Sequence, residues 1–163
     1  MQEETDFLVI GSGIAGLSCA LKLAERGTVS IVTKKEEAES NTNYAQGGIA
    51  AVFDPEDTFD QHIRDTLDAG DGLCHEDAVE LIVREGPERV GELFQRGVDF
   101  TRRKNGHFDL GREGGHRFNR IVHVQDHTGR DVEHALLDEV ERHPNIRMLQ
   151  NHIAIDLITE HHI

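Results

Sequence analysis

The sequence has no tryptophan, one tyrosine and only two cysteines, Cys19 and Cys74. Two cysteines cannot build the disulfide framework of a small secreted domain, and reduced thiols suit the cytosol. We expect Cys19, which lies in a predicted helix, to be a small core residue. No apolar run is long enough to cross a bilayer, and the acidic start lacks the basic stretch of a secretory signal. These absences predict a cytoplasmic protein without a membrane partner.

Positive charge is also scarce, since 17 lysines and arginines stand against 31 acidic residues for a formal net charge of -14. Nucleic acids and anionic membranes are bound through clustered basic residues, so we expect neither as a partner. The local field of a pocket can oppose the net charge, and a dicarboxylate substrate therefore stays possible. The 163 residues, with 37% hydrophobic content, are enough for a domain with its own core.

The first feature that is present is a strand–turn–helix–strand pattern. Phe7–Ile10 and Val29–Val32 are short apolar runs typical of buried parallel strands, and apolar residues recur at helical spacing between them. The turn after the first strand matches G-x-G-x-x-G, which places a pyrophosphate on the amides of a helix N-terminus. The alternative is a glycine-rich turn without a ligand. The candidate cofactor-binding residues are Gly11, Ser12, Gly13, Ile14, Ala15 and Gly16.

The acidic residue that usually ends the second strand of such a site is missing. Thr33-Lys34-Lys35 stands there instead, and a lysine cannot accept hydrogen bonds from ribose hydroxyls. We expect backbone groups or another residue to hold the ribose. The departure argues against a generic NAD site, and it resembles flavoproteins of the succinate dehydrogenase and fumarate reductase superfamily. Lys34 is therefore a further cofactor-binding candidate.

The middle of the sequence predicts helices. Thr58-Phe-Asp-Gln61 is a capping box that opens the first of them. Its apolar face carries Phe59, Ile63 and Leu67. We expect one further helix over 76–85 and a separate one that starts at Pro87 and stops at Gly97.

The last third predicts one more helix and two more strands. The Asn-Gly pair at 105–106 indicates a tight turn, and a later helix ends at Pro144. Ile146–Leu149 predicts a third parallel strand, and Ile153–Ile158 a further strand. Because the chain stops at Ile163 without a cap, turn or polar tail, we expect a domain that is incomplete at this end.

A second block, Asn41-Thr-Asn-Tyr-Ala-Gln-Gly-Gly-Ile-Ala-Ala-Val52, resembles the flavin-contacting loop of the L-aspartate oxidase family. Its glycines let the backbone lie against a flat ring, while Thr42 and Gln46 offer side-chain hydrogen bonds. Superfamily members that hold FAD covalently carry a histidine just before the threonine, where this chain has Asn41, so we expect non-covalent FAD. The resemblance implies flavin contacts from Asn41, Thr42, Asn43, Tyr44, Ala45, Gln46, Gly47 and Gly48.

A third block, Arg112-Glu-Gly-Gly-His116 with the following 120–130 segment, resembles the substrate side of the same family. The resemblance implies that Glu113 orients the amino group of the substrate. The alternative for Glu113 is an ordinary ion pair with Arg112 or Arg117. His116 and His123 either support the site or are plain structure. We expect no metal site, because the histidines lack metal-ligand spacing with a cysteine or carboxylate.

These features predict an α/β fold, a Rossmann-like FAD-binding domain with a parallel sheet, incomplete at the C-terminus. We expect a βαβ unit at 6–33, a flavin-contacting loop at 41–52, a helical insertion at 57–97 and a substrate-side loop at 111–130. The family's capping domain and proton-transfer arginine would lie outside this chain.

The resemblance implies FAD-dependent oxidation of L-aspartate to iminoaspartate, with dioxygen or fumarate as electron acceptor. The product would feed NAD biosynthesis, with quinolinate synthase as the pathway partner. One alternative is a succinate dehydrogenase or fumarate reductase flavoprotein subunit. Another is a non-catalytic dinucleotide-binding remnant.

Overall fold

The computed structural model describes residues 4–34, 45, 47–125 and 127–158. The chain divides into two compact units, which we call unit 1 (Met1–Tyr44 and Glu133–Ile163) and unit 2 (Ala45–Val132). Within the described ranges, none of the helices combines the length and the apolar character that a membrane span requires. The elements in chain order are β1 (Phe7–Ile10), α1 (Ile14–Leu23), β2 (Val29–Val32), β3 (Ile49–Ala50), α2 (Phe59–Ala69), α3 (Glu76–Gln95), β4 (Ile121–Val122), α4 (Thr128–Arg142) and β5 (Ile146–Leu149).

Unit 1 is built on a parallel sheet with the strand order β1-β2-β5. Phe7 is level with Val29, and Val29 is level with Ile146, so all three strands run in the same direction. Helix α1 connects β1 to β2 and packs against both. The predicted βαβ unit and its third parallel strand are therefore confirmed.

Three expectations for unit 1 are wrong. The β1 strand is not buried throughout, since Leu8 is 52% and Ile10 54% exposed. Among the described strands β1 pairs with β2 alone, so it is an edge strand and keeps open surface. Cys19 is exposed rather than part of the core, because it lies on the outer face of α1. The 153–158 segment forms no strand in the described structure, where it pairs with no neighbour and Ile155 is 94% exposed.

Unit 2 contains the short antiparallel pair β3–β4 and the packed helices α2 and α3. The Thr58 side chain accepts a hydrogen bond from the Gln61 amide at 3.1 Å, which confirms the predicted start of α2. The buried residues of α2 are the polar His62 and Asp65, whereas its predicted apolar face is only half-buried. The consequence is a helix that packs through charge as well as through apolar contact.

Helix α3 runs without a break from Glu76 to Gln95, so the two separate helices predicted around Pro87 are wrong. A proline removes one helical hydrogen bond, but the buried face continues past it. Its buried residues are Val79, Val83 and Val90. Gly97 ends the helix as predicted, with φ +99° and a Schellman pair in which its amide donates to Phe94 and the Val98 amide to Leu93.

Candidate functional site

The glycine turn of unit 1, residues 11–16, has the shape that a dinucleotide phosphate requires. Gly11 adopts φ +107°, and its amide donates to the carbonyl of Val32 at 2.9 Å. A Cβ on Gly16 would lie 2.1 Å from the Gly11 carbonyl oxygen, so only glycine fits there. Gly13, the residue before α1, offers no side-chain cap, and the first turn of α1 has no acidic residue, so an anion at this positive end of the helix dipole would meet no acidic side chain of that turn.

Ser12 lies in this turn, and Lys34 follows the end of β2. The Ser12 hydroxyl is buried and shares a hydrogen bond of 2.9 Å with the Thr33 hydroxyl. It therefore fixes the turn to the end of β2 instead of facing a ligand. Lys34 is exposed one residue later. The structure adds Thr33, which the sequence pattern did not single out, as the residue that anchors the fingerprint.

In unit 2 the β3–β4 pair brings together the second and third sequence blocks, which lie far apart in the chain. Ile49 is level with Val122 and Ala50 with Ile121, and the Ala51 amide donates to the Arg120 carbonyl at 2.9 Å. A Cβ on Gly48 would lie 2.4 Å from Cγ2 of Ile121 and 2.5 Å from the Val122 carbonyl oxygen. Gly48 is thus required for strand pairing.

Glu113 lies beside Gly47, since a Cβ on Gly47 would be 3.3 Å from Oε1 of Glu113. The Glu113 side chain is exposed. In the described residues it forms no ion pair with Arg112 or Arg117, and Arg117 pairs instead with Asp65 at 3.3 Å and Asp68 at 3.1 Å. The alternative ion pair for Glu113 is therefore not what the structure contains, and its carboxylate is available to a ligand.

Other candidates of the second and third blocks fall into two groups. The carbonyl of Ala45 accepts a hydrogen bond of 3.1 Å from the Gly129 amide, which links the second block to the end of the third. His123 is half-buried, and its carbonyl accepts from the Thr101 amide at 2.9 Å. The candidates that lie outside the described residues are Asn41, Thr42, Asn43, Tyr44 and Gln46.

The largest feature that the sequence reasoning missed is a buried set of charges that we call the Arg120 cluster: Arg120, Asp57, Asp65, His62 and His116. Arg120 is fully buried and forms a two-pronged ion pair with Asp57, both contacts being 2.8 Å. Its Nη1 also donates to Asp65 at 3.0 Å and to Nδ1 of His116 at 3.3 Å. No sequence signal marked the cluster, because each of its members resembles an ordinary surface residue in the sequence.

The pKa values in the cluster follow from burial and charge. Burial, the positive Arg120 and the neighbouring His116 lower the pKa of His62 to about 4. Burial tends to raise the pKa of Asp65, but hydrogen bonds from the Arg117 amide and Gln61, with the charges of Arg120 and Arg117, lower it overall. At neutral pH the cluster therefore holds a neutral His62 beside an ionised Asp65.

Comparison with known proteins identifies the scaffold. The profile of the family described as "FAD binding domain" matches residues 6–162, nearly the whole chain. This chain belongs to the FAD binding domain family. FAD is its cofactor, and the glycine turn, with the narrow space at Gly16 and no acidic residue in the first turn of α1, fits the pyrophosphate of that group.

This FAD binding domain is similar to L-aspartate oxidases over most of its length. It is 54% identical over 154 residues to L-aspartate oxidase 2-a, chloroplastic, of Nicotiana tabacum, covering 94% of this chain and 24% of that protein. It is 47% identical over 162 residues to L-aspartate oxidase of Pseudomonas aeruginosa, covering 95% of this chain and 30% of that protein. The chain thus spans about a quarter to a third of the length of these relatives.

The fold is similar to that of fumarate reductase. The domain superposes on FrdA of E. coli quinol fumarate reductase with a TM-score of 0.93 and 30% identity, covering 99% of this chain and 28% of that one. The expected α/β fold of the FAD-binding type is confirmed. The greater sequence identity, however, is to the L-aspartate oxidases.

Proposed function

We propose that the protein to which this chain contributes oxidises L-aspartate to iminoaspartate with non-covalently bound FAD. The observation that carries this proposal is the position of the exposed Glu113 carboxylate beside Gly47, in the block that resembles a flavin-contacting loop. The similarity to L-aspartate oxidases over 94–95% of the chain supports the same substrate.

Glu113 supplies what an amino-acid substrate needs and a simple dicarboxylate does not. L-Aspartate carries an ammonium group at neutral pH, whereas succinate and fumarate carry only carboxylates. A carboxylate at Glu113 attracts the ammonium group, which succinate and fumarate lack, so it favours L-aspartate over the other two. Glu113 would therefore bind and orient the substrate and set its specificity.

Other residues of the chain would hold the cofactor. The turn at Gly11–Gly16 would bind the pyrophosphate through backbone amides, and Gly47 would present bare backbone to the ring, while Gly48 would hold this segment against β4. When bound, FAD accepts the two electrons and the α-hydrogen that leave the substrate. Asn41 offers no imidazole for a covalent bond, so acid precipitation should release the flavin into solution. Flavin that stays with the precipitate would contradict this assignment.

The rest of the reaction follows from electron balance. Oxidation removes two electrons and two protons from L-aspartate, which reduce dioxygen to hydrogen peroxide or fumarate to succinate. We place the reaction in the cytoplasm at the start of NAD biosynthesis, with quinolinate synthase consuming the product. The chain would be the N-terminal part of the FAD-binding domain, and the capping domain would come from another part of the protein.

The test is anaerobic flavin reduction in the full-length protein, monitored by the loss of flavin absorbance. L-Aspartate should reduce the flavin and succinate should not, and Glu113→Gln should raise the KM for L-aspartate by roughly tenfold or more, as expected for a hydrogen bond to a charged group. The matched control is Glu141→Gln, which removes an exposed carboxylate from α4 and should leave the KM unchanged.

Two other outcomes would point elsewhere. Equal reduction by succinate and L-aspartate would favour a succinate dehydrogenase or fumarate reductase flavoprotein, which the structural similarity to fumarate reductase makes the second candidate. Reduction by neither substrate, with FAD bound, would favour a non-catalytic dinucleotide-binding module.

A further inference from the structure

The Arg120 cluster lies at the base of the loop that carries Glu113. The side chains of Arg120 and Asp57 are fully buried and that of Asp65 is 2% exposed. Buried charges are retained only when they are paired and hydrogen-bonded, and removing one partner leaves the others uncompensated. The cluster is therefore a fixed structure and not a mobile surface ion pair.

Arg120 is fully buried and is not accessible to a substrate carboxylate. Its Nε and Nη2 donate to the two oxygens of Asp57, and its Nη1 donates to Asp65 and to His116. A guanidinium carries five N–H donors and no acceptor, and four of the five are used within the protein by a side chain that is fully buried. Arg120 thus acts on other parts of the chain and does not contact the reacting molecule.

What Arg120 holds is the 111–120 loop. The Arg120 amide donates to the Gly111 carbonyl at 3.0 Å, and the Gly111 amide donates to the Ile121 carbonyl at 2.9 Å, so the two ends of the loop are tied together. Further along the loop, the Arg117 amide donates to Asp65 at 3.0 Å. Asp65 therefore receives hydrogen bonds from both the side chain of Arg120 and the backbone of the loop.

Asp57 and Asp65 in turn belong to helix α2 and its start. The Thr58 amide donates to Asp57 at 2.9 Å, and Gln61 donates to Asp65 at 2.9 Å. The loop is thus fixed to a helix at two carboxylates, one on each side of the guanidinium. Between its tied ends and these anchors lies Glu113, beside Gly47.

We infer that Arg120 is a positioning residue for the reaction: together with Asp57 and Asp65 it fixes the loop that sets the Glu113 carboxylate against the substrate ammonium. This inference rests on the proposed function, because it gives Glu113 the role stated there. If this inference holds, a change in the buried cluster should weaken the reaction of L-aspartate, which has an ammonium group, more than the reaction of a substrate without one.

The experiment is a double-mutant cycle in the full-length FAD-loaded protein, with Arg120→Lys, Glu113→Gln and the double variant. Lysine keeps the charge but loses the two-pronged geometry. Because a displacement of about 1 Å can cost roughly a hundredfold in rate, we expect Arg120→Lys to lower kcat/KM for L-aspartate by roughly tenfold to a hundredfold. Reduction of fumarate by a reduced viologen dye should change by less than about threefold, since fumarate lacks the ammonium.

The double variant decides the matter. If Arg120 acts through Glu113, Arg120→Lys should add almost nothing in the Glu113→Gln background. Independent, multiplying losses would overturn the inference, as would an equal loss for fumarate. Arg103→Lys is the matched control, because Arg103 forms an exposed pair with Asp109 at 2.9 Å and should leave both reactions unchanged. If Glu113→Gln alone has no effect on L-aspartate, the proposed function fails first, whatever Arg120 does.

A second measurement keeps the inference testable if Arg120→Lys does not fold. Asp57→Asn retains the shape of the side chain, but it removes one charge and replaces one of the two oxygens that accept from Arg120 with an amide NH2 group, which only donates. Hydrogen exchange in this variant should become faster at the Arg117 amide and across 111–119, with exchange in α1 unchanged. Unchanged exchange in the loop would show that the cluster does not hold it and would overturn the inference.

Discussion

The glycine turn of unit 1 is fixed by backbone conformation and one neutral hydroxyl pair, whereas the loop of unit 2 is fixed by buried charges. At the turn, Gly11 has φ +107° and Gly16 leaves no room for a Cβ. In the loop, Arg120 has two carboxylate partners and is fully buried. Both regions hold a candidate ligand-binding segment in place, but they do so through different physical interactions.

This difference determines how strongly changes in charge and in pH should affect the stability of each region. Backbone hydrogen bonds between neutral groups do not change with pH, and their net contributions are modest. Buried ion pairs depend on every partner, because one unpaired charge in the interior is costly. We therefore expect charge changes and acid to disturb unit 2 far more than the glycine turn.

The largest effect should come from Arg120→Met, which keeps the bulk of the side chain and removes its charge. Asp57 would be left buried without its cation and Asp65 would keep only Arg117, so we expect a loss of about 3–5 kcal/mol in the free energy of unfolding. Chemical denaturation of the intact protein measures this. Arg103→Met, at an exposed ion pair, should cost no more than about 1 kcal/mol. Equal losses of stability in Arg120→Met and Arg103→Met would mean that the buried cluster is no more sensitive to the removal of a charge than an exposed ion pair.

The glycine turn could be predicted from the sequence because every residue that shapes it is local. Strand, turn and helix follow each other within Phe7–Leu23, and their periodicity and glycine spacing are visible directly. The third parallel strand was predicted for the same reason. The pair Ser12–Thr33 was missed because it joins residues 21 positions apart, and hydroxyls carry no periodic signal.

The Arg120 cluster could not be predicted, because Asp65 and Asp57 lie 55 and 63 positions from Arg120 and each resembles a surface charge in the sequence. Only the β3–β4 pairing, two residues long in each strand, places them together. The predicted break at Pro87 was wrong because that prediction used only a local signal. A proline usually interrupts a helix, but here the buried face of α3 continues past it. Residues 153–158 have an apolar pattern but pair with no described strand.

The next largest effect should be a loss of stability at acidic pH. The pKa of His62 is lowered from its ordinary 6.5 to about 4 in the folded protein by burial, by Arg120 and by His116. As the pH falls through this window the unfolded chain binds a proton that the folded protein does not, so stability present above pH 6.5 is lost towards pH 4. The full shift equals about 3 kcal/mol, which solvent screening should reduce to about 1–2 kcal/mol.

The measurement is the free energy of unfolding at several pH values across that window, in the wild type and in His62→Gln. Glutamine does not titrate, so the variant should lose less stability between neutral and acidic pH than the wild type does. His107→Gln removes an exposed histidine from the turn at 102–107 and should keep the wild-type dependence. An unchanged pH dependence in His62→Gln would assign acid sensitivity to other groups.

The smallest effect should appear at the glycine turn, where Ser12→Ala breaks the 2.9 Å hydroxyl pair and leaves the buried Thr33 hydroxyl without its partner. We expect a loss of about 1 kcal/mol, and a double variant with Thr33→Val should recover much of it, because two apolar groups of similar shape leave nothing unsatisfied. Such recovery is impossible in the Arg120 cluster by any single neutral replacement, since two carboxylates share one guanidinium. Denaturation of the two single variants and the double variant measures the coupling. Strictly additive losses would mean that the hydroxyl pair does not anchor the turn, and the FAD affinity of Ser12→Ala should then match that of the wild type.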